Sequence, residues 1–117
     1  SSFWVMLEKL VLYQKYVDFM YYTYLILGKY PKVERFALVM DMKNTLYRGL
    51  RFVIHFQKEK NKKDLEELDV CLKVFMTYVK ISYKRKYISI RNYQAFSKKY
   101  SSLEKVRRGF YEGSNYF

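Results

Sequence analysis

The chain has 117 residues, a length that suits one domain, and half of them are hydrophobic, enough to bury a core. A mean hydropathy of −0.34 excludes both a disordered chain and a bilayer protein, and one Pro and four Gly are too few for the turns of a β-sandwich or barrel, which leaves an all-α fold. The 23 Lys and Arg against 11 Asp and Glu give a net charge of +12, which favours a polyanionic partner such as nucleic acid, an anionic membrane surface or an acidic protein.

Apolar residues recur three and four apart almost from end to end, the pattern of amphipathic helices. Ser1-Ser2, without a start Met, reads as a processing remnant. The first helix is expected over about 3–27, with Phe3, Leu7, Leu10, Val17, Tyr24 and Leu27 in its stripe and Gly28 as its C′ residue. Its longest apolar run, Phe19 to Gly28, is about half of what a bilayer crossing needs. Pro31 suits the first turn of a second helix over 31–58, striped by Phe36, Val39, Leu46, Leu50 and Val53. Gly49 inside it costs about 1 kcal/mol relative to Ala, which either a close helix approach or a tolerated defect accounts for.

The polar stretch Lys58 to Lys63 reads as a loop, with Asn61 as N-cap of a third helix over 62–86. Asp64, Glu66, Glu67 and Asp69 suit the positive end of that helix dipole, and Lys84-Arg85-Lys86 the negative end. Its stripe is Leu65, Leu68, Leu72, Phe75, Val79 and Tyr83. Ser89 is the expected N-cap of a fourth helix over 89–109, with Ile90, Tyr93, Phe96, Tyr100, Leu103 and Phe110 inward and Gly109 and Gly113 at its fraying end. Four helices joined by short loops make an up-down-up-down antiparallel four-helix bundle, a single domain over 1–117.

Enzymatic constellations are missing. His55 is the only histidine and Cys71 the only cysteine, so neither a His-based nor a Cys-based metal site nor an internal disulfide can form, and no cofactor motif or phosphate-binding Gly-rich loop occurs. A Cys71–His55 pair is conceivable, but a small buried thiol and a surface or interface histidine explain the two residues more simply. No secretion signal or oxidising-compartment signature is present, which points to the cytoplasm.

The placement of charge carries more. Lys outnumbers Arg 16 to 7, a bias that AT-rich codons would also produce, so clustering matters more than the total. Lys80, Lys84, Arg85, Lys86, Arg91, Lys98, Lys99, Lys105, Arg107 and Arg108 face a single acid, Glu104, in that stretch. Tyr83, Tyr87, Tyr93 and Tyr100 interleave with them. Cations that release phosphate counterions, beside rings able to stack on bases, make a candidate nucleic-acid face; the plainer reading is a solvated basic face with its tyrosines packed inside. Tyr13, Tyr16, Tyr21, Tyr22, Tyr30 and Tyr47 exceed what one four-helix core buries, so a homo-oligomer with much of its interface on the first two helices is expected.

The order of motifs resembles a known family. Lys29-Tyr30-Pro31-Lys32-Val33-Glu34-Arg35-Phe36-Ala37-Leu38 is similar to the FPK-x-ERF-x-L opening of the accessory variability determinant (Avd) proteins of diversity-generating retroelements. Leu65 to Ile81 resembles their LR-x-LLR helix, Ile88 to Tyr93 their IS-x-x-x-Y helix start, and Leu103 to Gly109 their EIGR ending, with Arg107 at the arginine and Val106 in place of the glycine. The IPSNIAEG stretch of the related bundle proteins encoded in rRNA intervening sequences does not occur. The resemblance implies a homopentameric barrel of four-helix bundles, without an active site, that binds RNA or DNA and partners a reverse transcriptase in mutagenic cDNA synthesis. Lys73 and Thr77 stand where the family's third helix commonly carries two arginines, and the resemblance implies a partner contact there. A structural adaptor or rRNA-intervening-sequence-type protein with no polymerase partner, and a peripheral membrane bundle, are the competing readings, although the resemblance implies no membrane.

Overall fold

The computed structural model describes residues 2–113, so Ser1 lies outside it. Four helices, α1 (Phe3–Leu27), α2 (Leu38–Glu59), α3 (Lys62–Lys84) and α4 (Ile90–Glu112), pack in a ring, α1 on α2, α2 on α3, α3 on α4 and α4 back on α1. No strand occurs among the described residues. The two residues between α2 and α3 and the five between α3 and α4 cannot cross a helix some 33 Å long, because an extended residue advances only about 3.5 Å, so these pairs run antiparallel. Extents of 47 × 24 × 18 Å fit a bundle two helices wide each way.

The caps follow the sequence at Asn61 and Ser89, and Ser2, read from the sequence only as a remnant, caps α1 as well. Ser2 Oγ accepts from the Val5 N–H at 3.2 Å, and Asn61 Oδ1 from the Lys63 N–H at 2.9 Å. Ser89 and Asn92 form a reciprocal capping box at the start of α4. The second helix departs from expectation. Pro31 (φ −58°, ψ 145°) begins a 3-10 turn over Lys32–Glu34, Ala37 is non-helical, and α2 starts only at Leu38. Glu34 explains the break, since Oε2 accepts from the Tyr87 hydroxyl at 2.7 Å and Oε1 from the Leu38 N–H at 3.4 Å, pinning the turn to the far side of the bundle.

Chain reversals also fall elsewhere than expected. Gly28 ends α1 with an ordinary φ of −61°, whereas the left-handed positions are held by Lys60 (φ 53°) and Lys86 (φ 63°). Helix α3 therefore stops at Lys84, two residues short of the predicted end. Gly109 lies within α4, which continues to Glu112 with Gly113 as its cap.

The predicted stripes of α2 to α4 hold in their centres, where Leu46, Val53, Leu65, Leu68, Leu72, Phe75, Val79, Phe96, Leu103 and Phe110 are buried. Phe36, outside α2, is 83 % exposed, and Tyr83 and Ile90 also face out. The stripe expected for α1 is mostly misplaced: Phe3, Leu10 and Tyr24 are exposed, Leu7 and Val17 are half-buried, only Leu27 is buried, and the buried line is Val5, Lys9, Leu12, Tyr16, Phe19, Thr23 and Ile26. Two clusters of edge-to-face rings organise the core. Phe19, Phe75 and Phe96 lie 5.2 to 6.0 Å apart, and Phe56 and Phe110 lie 5.1 Å apart.

Polar groups in the buried line of α1 find partners. The Tyr16 hydroxyl donates to the Leu46 carbonyl at 2.6 Å, Thr23 Oγ1 to the Phe19 carbonyl at 2.8 Å, and Lys9 and Gln57 exchange hydrogen bonds of 3.4 and 3.3 Å with each other's carbonyls. Gly49 makes room for Tyr16: a Cβ there would lie 2.9 Å from its ring Cζ and closer still to the hydroxyl. A close helix approach, rather than a tolerated defect, accounts for this glycine.

Candidate nucleic-acid interface

Helices α3 and α4 present the basic residues because their inner faces are committed to the core. On α4, Arg91, Lys98 and Lys105 are seven residues apart, all exposed, and Arg108 follows one turn later. At 1.5 Å per residue this row is about 26 Å long. On the neighbouring α3, Lys73, Thr77, Lys80 and Lys84 recur at four, three and four residues and are likewise exposed. Among the described residues no carboxylate pairs with Lys80, Lys84, Lys86, Arg91, Lys98 or Lys105, so these six charges face solvent uncompensated.

The remaining predicted site residues differ. Arg85 donates to the Tyr87 hydroxyl at 3.3 Å and lies over the same ring. Half-buried Lys99 sits 5.1 Å from the Tyr22 ring centroid. Arg108 is exposed, with Nε 4.0 Å from Glu104. Lys73 is ion-paired to Asp69, and Thr77 Oγ1 donates to the Lys73 carbonyl at 2.9 Å, so both ends of the expected partner contact are tied to their own helix.

Arg107 is a correction to the basic face. It is 7 % exposed, its Nε and Nη2 donate to the two Glu104 oxygens at 3.0 and 2.9 Å, and Nη1 donates to the Leu65 carbonyl at 3.5 Å. Burial works against its charge, but Glu104 and Asp69 outweigh that and hold its pKa raised. A guanidinium clamped and buried in this way ties α4 to α3 and is not presented to a phosphate. The interleaved tyrosines are corrected as well. Tyr87, Tyr93 and Tyr100 pack half-buried against the core, and of the four expected stacking rings only Tyr83 is exposed.

The sequence left a Cys71–His55 pair open. His55 Nδ1 instead lies 2.6 Å from Asp64 Oδ2, and Cys71 is buried, which pushes its thiol pKa up. Among the described residues no group of three His, Cys, Asp or Glu side chains could hold a metal ion, and no helix is long and apolar enough to cross a membrane.

A family model described as bAvd-like matches residues 10–111, from the second turn of α1 nearly to the end of α4. This chain belongs to the bAvd-like family. No curated protein and no solved structure matches it. The bAvd-like family consists of accessory proteins rather than catalysts, and the motif succession read from the sequence falls wholly inside the matched span.

This bAvd-like chain also carries cations that clustering by sequence passed over. Lys32, Arg35, Lys43, Arg48 and Arg51 lie on the 3-10 turn, the link after it and the outer face of α2. The signal was present in residues 29–51, where six Lys and Arg meet two acids, but it is diluted over a longer segment than the run after Lys80.

Proposed function

We propose that this protein is a non-enzymatic, basic nucleic-acid-binding accessory protein that partners the reverse transcriptase of a diversity-generating retroelement in mutagenic cDNA synthesis from template RNA. The carrying observation is the set of six uncompensated cations on α3, α4 and the loop between them, in a member of the bAvd-like family. A row of long, solvated cations suits the phosphates of RNA or DNA without base reading, because it offers charge at regular spacing and no fixed hydrogen-bonding pattern. The reverse transcriptase is the proposed protein partner and the cytoplasm the proposed location.

The protein assembles with itself in this reading, as a pentameric barrel. The support is the outer face of α1, where Phe3, Trp4, Leu10, Val11, Tyr21 and Leu25 are exposed together, Trp4 at 71 %. Lys73 and Thr77 remain candidates for the polymerase contact, with Lys73 first released from Asp69.

The test is filter binding of single-stranded RNA and DNA across a salt series. Wild type is expected to bind with a log–log salt slope of about −0.7 per phosphate contacted. Arg91→Gln/Lys98→Gln/Lys105→Gln is expected to flatten that slope by about two units on the same scale. Unchanged binding by this variant, with its melting temperature intact, would overturn the basic-row assignment. A pull-down with the polymerase separates the accessory role from that of a structural adaptor.

A further inference from the structure

A cleft of about 430 Å³ opens between the C-terminal end of α1, the 3-10 turn and the first turns of α2. Its lining has two halves. Lys32, Arg35 and Lys43 supply three cations from three different segments, and no Asp or Glu lines it. The only acid of the turn, Glu34, is spent on the Tyr87 hydroxyl and the Leu38 N–H. The other half is apolar: Leu27 and Val39 from the edge of the core, and the ring of Tyr24 with Lys43 Nζ 5.7 Å from its centroid. Burial and the neighbouring Tyr47 push the Tyr24 hydroxyl up to about 12, so the tyrosine adds no negative charge.

Three like charges around one concavity repel each other and raise the local potential for an anion, which relieves that repulsion when it binds. Inorganic phosphate would satisfy the cations and leave the apolar wall uncovered. A ligand with a charged head and a flat, weakly polar body covers both, and the volume lies within the range of small-molecule sites. We propose that this cleft binds a nucleoside phosphate, with the phosphate held by Lys32, Arg35 and Lys43 and the base laid against Tyr24, Leu27 and Val39. The cleft shares no residue with the α4 row, so the two can be altered separately. Two sources share this chemistry: a free nucleotide and the terminal 5′-phosphate of a strand.

Calorimetric and NMR titration of the full chain with AMP, adenosine and inorganic phosphate tests it. AMP is expected to saturate one site per chain, with adenosine and phosphate each weaker by about tenfold or more, since charge-assisted hydrogen bonds and the apolar wall act together. Lys32→Gln/Arg35→Gln/Lys43→Gln is expected to weaken AMP by about tenfold or more, while Arg91→Gln/Lys98→Gln/Lys105→Gln leaves it unchanged. Adenosine binding as tightly as AMP, no saturation, or equal loss in both variants overturns the proposal. The wild-type comparison of AMP with adenosine decides even if a variant unfolds. A preference for 5′-phosphorylated over 5′-hydroxyl oligonucleotide that the cleft variant loses assigns the site to strand ends; saturable AMP binding without that preference assigns it to free nucleotide.

Discussion

Gly49 and Arg107 show how a single position reverses its sequence meaning once its neighbours are known. In sequence, Gly49 is a defect in a helix; in the fold it is the gap that admits the Tyr16 ring and lets its hydroxyl reach the Leu46 carbonyl. Gly49→Ala is expected to cost about 1–3 kcal/mol, the penalty of displacing a buried hydrogen-bonded group. Adding Tyr16→Phe, which removes the nearest atom, should recover part of that loss in a double-variant cycle read by urea unfolding. Arg107 follows the same logic with charge. Arg107→Gln leaves Glu104 buried without its partner and is expected to destabilise by about 3 kcal/mol, whereas Arg91→Gln on the solvated row should leave the urea midpoint unmoved. Tyr16, Tyr24 and Tyr30 are held protonated, chiefly by burial, above their ordinary value of 10.0. The folded state then binds protons that the unfolded chain releases, so stability is complete below pH 10 and falls as pH rises further. Tyr16→Phe should flatten that alkaline decline in a pH series of melts.

At the scale of elements, the ends obey local chemistry and the faces do not always do so. The Ser89 N-cap was legible because a cap is a local matter of the residues that follow it, and the structure adds Asn92 as its reciprocal partner. Ser89→Ala is expected to cost about 1 kcal/mol in thermal unfolding. Lys60, in a left-handed backbone at the end of α2, is the opposite case, a residue that local preference would replace by glycine. Lys60→Gly is expected to raise stability by up to about 1 kcal/mol, because glycine removes the Cβ clash of that conformation. Helix α1 was misread because it is apolar on nearly every side, and its buried line includes Lys9, Tyr16 and Thr23 at seven-residue intervals. Counting apolar residues cannot find a stripe whose every second position is polar. Helix α3, with its lysines and most of its acids on the exposed side and only Asp64 buried among them, favoured one face, and its stripe was read correctly apart from Tyr83.

At the scale of the molecule, the two unpartnered surfaces differ in kind. The unpaired cations of α3 and α4, among them Lys80, Lys84, Arg91, Lys98 and Lys105, are solvated and suit a partner held by charge. The outer face of α1 carries Trp4, Leu10, Val11 and Leu25 in the open and suits a partner held by burial. The expected consequence is an oligomer that persists at high salt, since apolar burial is not screened, and the proposed pentamer would have a light-scattering mass about five times the 14.4 kDa of the chain. Trp4→Glu/Leu10→Glu is expected to yield smaller species that keep their helical circular dichroism. A wild-type monomer at every salt concentration would remove the assembly from the proposed function.

The sequence by itself determined the all-α class, the four helices, two of the four N-caps, the faces of α3 and most of α2 and α4, and the family resemblance. These depend on periodicity and on residues a few positions apart, and such interactions are written locally in the chain. Tertiary structure alone decided which face of α1 turns inward, why residue 49 is glycine, that α2 waits until Leu38 for Glu34 to reach Tyr87, and that Arg107 is a buried tie between helices. It also brought Lys32, Arg35 and Lys43 around one cleft. Each of these depends on the partner a side chain meets across the bundle, tens of residues away, and that partner decides whether a polar group is satisfied inside or left to water.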